Sequence, residues 1–521
     1  MLRKIGHVLG IFSFLAAIAG SILIPIFAWD LIITDGSPYC FYGYEMEFRY
    51  IAPIMIAGLL PFGLIGGFYI AKLIKTKIRH SSWELQKKQK MGLVFSAFFI
   101  LGWGLLIGNN YFPNIPENLG WIKPTYGPYI QYGADDSVII SWDTRQPAYS
   151  IVKWGEDRNN LVNSAEGGEF FTQTGQKSHH HSVRLLGIQP GQIYYYQIPD
   201  FKKEVYQFKT APTANSGESV VFSIVGDTQY GYRVSQKNVA LMKVDLDKLN
   251  FAVIAGDVVH ADNNYKDWYD LFSKKSYGGI SAEIPVMVAT GNHESYCFML
   301  NPDCVPRKNF LTYFQNFYPN PSQNVNDLSS MGYYYSWNYS NVHMVALDSF
   351  HPNGGMLNAE QIAWLEQDLA RNQNMWKFIY FHVPLYSLMS SNPNLTLINT
   401  LQTIFETYNV DAVFTGHDHV FEAYRVNSIY HFLVGGGGGT LEPYYLPKYG
   451  SHQWPGKHIT ADQLGAGFED VYAKPWFLEG ETSHHYMKVL VEGNQASFTA
   501  IRTENGEIIA SFNATRNFNN F

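Results

Sequence analysis

Between Gly226 and His419 one arrangement recurs five times: a short apolar run, a break, then a polar residue able to bind a metal. The runs are Val220–Val225, Phe251–Ala255, Val286–Ala289, Phe378–Phe381 and Val413–Thr415. The motifs at their ends are Gly226-Asp227-Thr228-Gln229, Gly256-Asp257-Val258-Val259-His260, Gly291-Asn292-His293-Glu294, Phe381-His382-Val383-Pro384 and Gly416-His417-Asp418-His419. Continuous apolar runs suit strands of a mainly buried sheet. In such sheets ligand groups gather where strands end and loops begin. The pattern predicts that Asp227, Asp257, Asn292, His382, His417 and His419 converge on one spot.

Two aspartates, an asparagine oxygen and three imidazoles suit a pair of first-row metal ions (Fe, Zn or Mn) rather than calcium. Asp257 has two oxygens and can bridge both ions. Cations about 3.5–4 Å apart hold a hydroxide between them and clamp a phosphoryl oxygen. Bridging lowers the pKa of the water, so a nucleophile exists near neutral pH. In-line hydrolysis of a phosphate ester uses such a site best. A lone Gly-Asp is only a turn and a lone histidine is usually structural; five motifs in order, each after a predicted strand, carry the reading.

This series resembles the metallophosphoesterase superfamily and, within it, the purple acid phosphatases, whose motifs run in the same order. The resemblance implies that Asp227 and His419 bind a first metal, that Asn292, His382 and His417 bind a second, and that Asp257 bridges. It places His293 beside the substrate phosphate. Three departures stand out. His260 occupies the position of the family's metal-binding tyrosine, so ferric iron and a purple colour are not implied. Gln229 occupies the position where other branches carry a histidine. The first metal is thus one ligand short, and we expect His260 to supply it, because neutral imidazole suits Zn, Mn or ferrous iron. The alternative leaves His260 behind the ligands, with water completing the site. Finally, Ser387–Asn394 holds no histidine to protonate a leaving group, which leaves His293 as the general acid.

The chain has 521 residues and a net charge of −7. That length suits several domains, and the mild acidity argues against a broad nucleic-acid surface. Three apolar stretches, Val8–Trp29, Tyr50–Ala71 and Met91–Gly108, each approach the ~20 residues needed to cross a bilayer. A cleaved signal peptide is the alternative for the first. Arg3 and Lys4 precede the first stretch, and Lys75, Lys77, Arg79, Lys87, Lys88 and Lys90 follow the second. The positive-inside rule then puts everything after about residue 110 outside. The expectation is a multi-pass cell-membrane protein, in contact with lipid through its N-terminal helices, with an extracellular catalytic domain. Of three cysteines, Cys40 falls in the predicted outer loop, and Cys297 and Cys304 are placed to bridge in an oxidising compartment or to remain free thiols. Asn338, Asn394 and Asn513 begin glycosylation sequons.

The domains expected are a three-helix anchor (1–112), a β-sandwich (122–212) and a catalytic domain (217–521). In the second, Ser137–Trp142, Tyr149–Trp154, Ser182–Leu186, Ile193–Ile198 and Val205–Lys209 are β-rich, with a turn at Gln189-Pro190-Gly191-Gln192. Strands at this spacing suggest an immunoglobulin or fibronectin type III sandwich. The segment also resembles the domain that precedes the catalytic part of plant-type purple acid phosphatases. His179–His181 opens one of its strands. In the catalytic domain, strands alternate with helices, which argues an α/β core. Asn358 and Gln361 form a capping-box signal ahead of a helix whose Ile362, Leu365 and Leu369 share a face; Leu397–Tyr408 reads as a second helix. Gly435–Gly439 lacks the Lys-Ser/Thr of a phosphate loop and reads as a tight turn near the metals. The resemblance implies two packed sheets flanked by helices, an αββα sandwich. The function expected is an outward-facing dinuclear metal phosphatase acting on phosphate monoesters. The alternatives are a phosphodiesterase for nucleotides or lipid head groups, or an inert surface receptor on the same fold.

Overall fold

From Pro124 to Lys209 short strands alternate with turns, as their aromatic and β-branched residues dictate. The computed structural model describes residues 124–516 apart from 133–136, 146–147, 173–177, 200, 202–203, 215, 231, 262–264, 296–332, 350–356, 390–393, 443–444, 447–450, 453–457 and 465–470. The three apolar stretches, the three cysteines, Tyr296 and His351 lie outside these residues. Among the described residues no helix is long and apolar enough to cross a membrane.

The N-terminal strands are β1 (Pro124–Tyr132), β2 (Val138–Thr144), β3 (Ile151–Gly155), β4 (Asn163–Glu166), β5 (Gly168–Thr172), β6 (Ser178–Leu185), β7 (Ile193–Gln197) and β8 (Tyr206–Lys209). They form two four-stranded antiparallel sheets, ordered β1-β2-β6-β5 and β4-β3-β7-β8. Ile130, Ile140, Trp142 and Val183 of one sheet share a core with Val152, Tyr194 and Phe208 of the other. This is the β-sandwich expected. Sequence reading missed β4 and β5, whose alternation is weak. His179–His181 lies within β6, with His180 and His181 buried.

The sandwich packs directly on the domain that follows, within one compact unit from Gly120 to Phe521. The Ile130 amide donates to Ser281 O at 2.8 Å and the Tyr196 hydroxyl to Ala282 O at 2.7 Å. Tyr129 stacks on Phe272 with ring centroids 4.2 Å apart.

The second domain holds β9 (Val220–Val225), β10 (Phe251–Ile254), β11 (Val286–Val288), β12 (Tyr335–Tyr339), β13 (Val342–Ala346), β14 (Trp376–Tyr380), β15 (Ala412–Thr415), β16 (Phe421–Val426), β17 (Ile429–Val434), β18 (Tyr445–Leu446), β19 (Ser451–His452), β20 (His458–Thr460), β21 (Phe477–Glu481), β22 (His485–Glu492), β23 (Gln495–Arg502) and β24 (Ile508–Thr515). Two large sheets result: six strands ordered β11-β10-β9-β22-β23-β24, and eight ordered β12-β13-β14-β15-β17-β16-β21-β20. β18 and β19 make a separate ribbon. β9, β10 and β11 run parallel, as do β13, β14, β15 and β17.

Period-two alternation explains the layers. Phe222 and Ile224 of β9 join Phe378, Phe414 and Phe432 in the core between the sheets. Val221 and Val225 of the same strand face the other way, onto Val239 and Met242 of the helix Tyr232–Met242. On the far side Val345, Ile379 and Val413 pack on Leu365 and Leu369 of Ala359–Arg371, and on Ile398, Leu401 and Phe405 of Leu395–Thr407. The layers are helix, sheet, sheet, helix, as expected. One local expectation is corrected. Asn358 Oδ1 does cap the first of these last two helices, accepting from the Gln361 amide at 2.8 Å. Gln361 does not return the bond; its buried side chain instead accepts from the Asp348 amide at 2.9 Å and donates to Asp348 O at 3.1 Å.

Candidate metal centre

Each predicted ligand follows the C-terminal end of a parallel strand. β9, β10 and β11 lead into Asp227, Asp257 and Asn292; β14 leads into His382, and β15 into His417 and His419. The turns are tight. Asp227, Asp257 and His417 have φ of 62°, 50° and 77°, a left-handed conformation that non-glycine residues seldom adopt. Such strain persists at sites the surrounding structure over-determines.

The six side chains meet across the seam between the two sheets. Asn292 Oδ1 lies 2.8 Å from His382 Nε2 and 2.9 Å from His417 Nδ1, and those two nitrogens are 3.2 Å apart. Asp257 Oδ2 is 3.2 Å from His382 Nε2. On the other side of Asp257, His419 Nε2 is 3.4 Å from Asp227 Oδ1, and the His417 amide donates to both Asp227 oxygens, at 3.1 and 2.9 Å. Asp227, Asp257 and His382 offer ligand atoms all within 4.8 Å of one another.

The protons are placed to leave lone pairs facing inward. His382 Nδ1 sits 3.2 Å from Ala255 O, and His419 Nδ1 sits 2.6 Å from Thr440 O. A carbonyl only accepts, so each Nδ1 donates and each Nε2 is left to bind. Once the His382 Nε2 gives up its proton, as a cation would require, Asn292 Oδ1, also an acceptor, faces its lone pair. Acceptors crowded in this way fit a cation, and a carbonyl partner behind the imidazole is the usual support of a metal-binding histidine.

Electrostatics agree. Burial disfavours a charged His382, but the carboxylates of Asp257 and Asp227 overcome it and hold the ring up at about 10. Burial likewise opposes the charge on His419, and Asp227 lifts that ring to about 9. Burial alone would raise Asp257; His382 and His293 outweigh it and bring the carboxyl below its usual range. Protons held this firmly are ones a cation must displace, so metal uptake releases them.

His293 stands beside this cluster. Its amide donates to Asp257 Oδ1 at 2.8 Å, and its Nδ1 donates to His260 O at 2.7 Å. Nε2 is left facing Asp257 Oδ2 at 3.8 Å, in a side chain that is 16% exposed, so an incoming ester can reach it. The contacts described for His260 run to the same side. Its ring lies 4.0 Å from the Tyr230 ring and 5.3 Å from that of His293, with Nε2 3.2 Å from the Tyr230 hydroxyl. Burial, then the His293 charge, lowers His260 to about 4, so the ring is neutral. Tyr230 thus lies beside both His260 and His293.

Two functional residues escaped the sequence reading. Glu294 is fully buried, and its carboxylate accepts from the amides of Asp257 (3.1 Å), Val258 (2.8 Å), Val259 (3.1 Å) and Gly291 (2.7 Å). It ties the Asp257 loop to the loop of Asn292. Burial, then the Asp257 charge, raises it to about 8. A glutamate directly after Asn-His, with no other task, was the available signal. The second is Gln229, noted in the sequence only for being no histidine. It is buried, with Nε2 3.2 Å from Asp257 Oδ2 and 3.3 Å from His419 Nε2.

The glycine run is the turn expected. Gly437 and Gly439 donate to Gly226 O and Asp227 O, each at 2.9 Å. A Cβ on Gly439 would sit 2.5 Å from the His419 ring, so only glycine lets the backbone pass there.

Fold and site together define a metallophosphoesterase. The sequence matches the calcineurin-like phosphoesterase family over residues 221–421 and the purple acid phosphatase N-terminal domain over residues 126–210. Residues 126–421 thus join a purple acid phosphatase N-terminal domain to a calcineurin-like phosphoesterase domain and are similar to the purple acid phosphatases, a class that works with two metal ions drawn from Fe, Zn and Mn. It is 28% identical over 334 residues to the phosphoenolpyruvate phosphatase of Allium cepa, covering 60% of this chain and 65% of that protein. It is 27% identical over 317 residues to purple acid phosphatase 21 of Arabidopsis thaliana, covering 58% of this chain and 68% of that one. The matches thus span about two thirds of these relatives. The structure of purple acid phosphatase PPD1 from yellow lupin (Lupinus luteus) seeds has the same fold, with a TM-score of 0.58, 18% identity, and coverage of 75% of this chain and 74% of that one.

Proposed function

We propose that this protein hydrolyses phosphate monoesters at a dinuclear metal centre held on the outer side of a cell membrane. One observation carries the catalytic part: three oxygen ligands and three imidazoles, up to 192 residues apart in sequence, interlock around Asp257. The second cation would be held by Asn292, His382 and His417, the first by Asp227 and His419, with Asp257 between them; the sequence reading adds His260 to the first. When bound, the pair supplies the Lewis acidity that activates water and neutralises phosphoryl oxygens.

The chain's own residues do the rest. Glu294 fixes the loop of Asp257, so the bridging carboxylate is oriented before substrate arrives. His293 reaches the ester with Nε2 while its Nδ1–H stays on His260 O, and in its charged form it protonates the leaving oxygen. Membrane attachment and outward orientation rest on the three apolar stretches and the lysine-rich segment between the second and third.

Purified full-length protein, assayed on matched mono- and diesters with each metal restored, tests the reading. Monoesters are expected to turn over faster. Preference for diesters would replace the substrate class, and unchanged hydrolysis by Asp257→Asn would leave an inert scaffold with a contaminating activity. Protease protection of sealed vesicles tests the orientation.

A further inference from the structure

Gln229 is the one polar side chain at the first cation position to which neither the motifs nor the comparisons give a role. Its amide is buried and sits between the bridging carboxylate and the terminal imidazole, at 3.2 Å from Asp257 Oδ2 and 3.3 Å from His419 Nε2. Its place is fixed by its own backbone, whose N–H donates to Asp257 O at 3.2 Å. With Nε2 turned toward the site, Oε1 points away and has no hydrogen-bond partner, although it is buried. A buried acceptor without a donor costs about 1–3 kcal/mol.

The two ends of an amide have nearly the same shape, and turning it over exchanges them. Oε1 then takes the place between Asp257 Oδ2 and His419 Nε2. Three acceptors facing one another repel unless a cation lies among them. At the second position an amide oxygen, that of Asn292, already stands in this relation to His382 and His417. We propose that Gln229 Oε1 is a ligand of the first cation, completing Asp227, Asp257 and His419, in the position the sequence assigned to His260. The His260 ring has its Nε2 3.2 Å from the Tyr230 hydroxyl and lies tilted against the Tyr230 ring, with the His293 ring 5.3 Å away. An amide oxygen carries no charge, so the first site compensates less of the ion's charge than an anionic oxygen would. Gln229 therefore selects a divalent ion there.

The proposal rests on the two-cation reading, and the test separates them. Full-length protein is stripped with chelator, reloaded with Mn²⁺ or Zn²⁺, and its bound metal counted by mass spectrometry across a free-metal series. Wild type is expected to hold two ions. Gln229→Ala is expected to hold one, with affinity for the other reduced at least by the ~10–100-fold that losing a ligand's outer support costs. Gln229→Glu should keep both and bind the weaker more tightly, because it adds charge at the same atom. His260→Ala should keep both. Melting curves in excess chelator, expected to show a single cooperative transition for both wild type and Gln229→Ala, separate ligand loss from misfolding. Two ions at wild-type affinity in Gln229→Ala, or one in His260→Ala, would overturn the assignment. Fewer than two ions in wild type would sink the two-cation reading and the proposal with it.

Discussion

The two sheets of the catalytic domain contribute different chemistry to one centre. The six-stranded sheet delivers oxygens, from Asp227, Asp257 and Asn292; the eight-stranded sheet delivers nitrogens, from His382, His417 and His419. The oxygen side is braced within itself. Glu294 ties the Asp257 loop to the Asn292 loop, and the His293 amide holds Asp257 Oδ1. Much of the nitrogen side is braced from across the seam: His382 is oriented by Ala255 O, and the His417 amide rests on Asp227. The difference teaches that neither sheet owns a binding site. In the proposed centre a cation joins them, so its uptake should stiffen the seam as well as equip it for chemistry.

The largest effect should come from Asp257, the one residue the proposed centre assigns to both cations. Asp257→Asn is expected to lower kcat about 10³-fold or more, which corresponds to about 4 kcal/mol. It should also weaken both ions, whereas His382→Ala should cost one. Equal metal loss in the two variants, by metal counting, would break the distinction between a bridging oxygen and a terminal nitrogen. Next comes stability. A cation present at 100 times its Kd stabilises the folded chain by about 2.7 kcal/mol per site. Chelation should therefore lower the melting temperature of the catalytic domain, and calorimetry that finds no shift would disprove the joining role.

A pH series sharpens the contrast further. In chelated protein His382 and His419 are raised to about 10 and about 9. Groups raised on folding contribute stability that is complete below their unfolded value, near 6.5, and that is lost as pH climbs through 9 and 10. Chelated protein should thus lose melting temperature between about pH 6.5 and 10, while metal-loaded protein stays flat, because the ions have replaced those protons. The acid side should be common to both forms. Burial lowers His180 and His431 to about 3, so stability falls as pH drops from about 6.5 towards 3, with or without metal. The smallest effect is a control away from the seam. Asn358→Ala removes a helix cap and should cost about 1 kcal/mol in denaturant titration, leaving the metal count at two.

The strand runs were legible because each is apolar end to end and closed by a polar turn. β9 matches its expected bounds, and the other ligand-bearing strands differ by one or two residues at an end. The ligand set was legible for the same reason: in a parallel sheet, strand ends converge. What stayed hidden depends on contacts that sequence spacing does not encode. Gln361 looked like half of a capping box, and burial gave it to Asp348 instead. Glu294 looked like the tail of a motif, yet it collects four backbone amides from two loops. Gln229 was read for what it lacked, since only coordinates place its amide between Asp257 and His419.

β9 carries Asp227 and is flanked by β10 on one edge and by β22 on the other, with Phe222 opposite Val489. Every proposed metal ligand has been synthesised once the ribosome passes His419, but the strand that closes the second edge of β9 arrives only with His485–Glu492. A nascent chain halted between those points owns the whole coordination sphere and cannot yet hold it, because its first aspartate hangs from a strand with one bare side. On the proposed ligand set, metal loading is therefore expected only after β22 has joined the sheet.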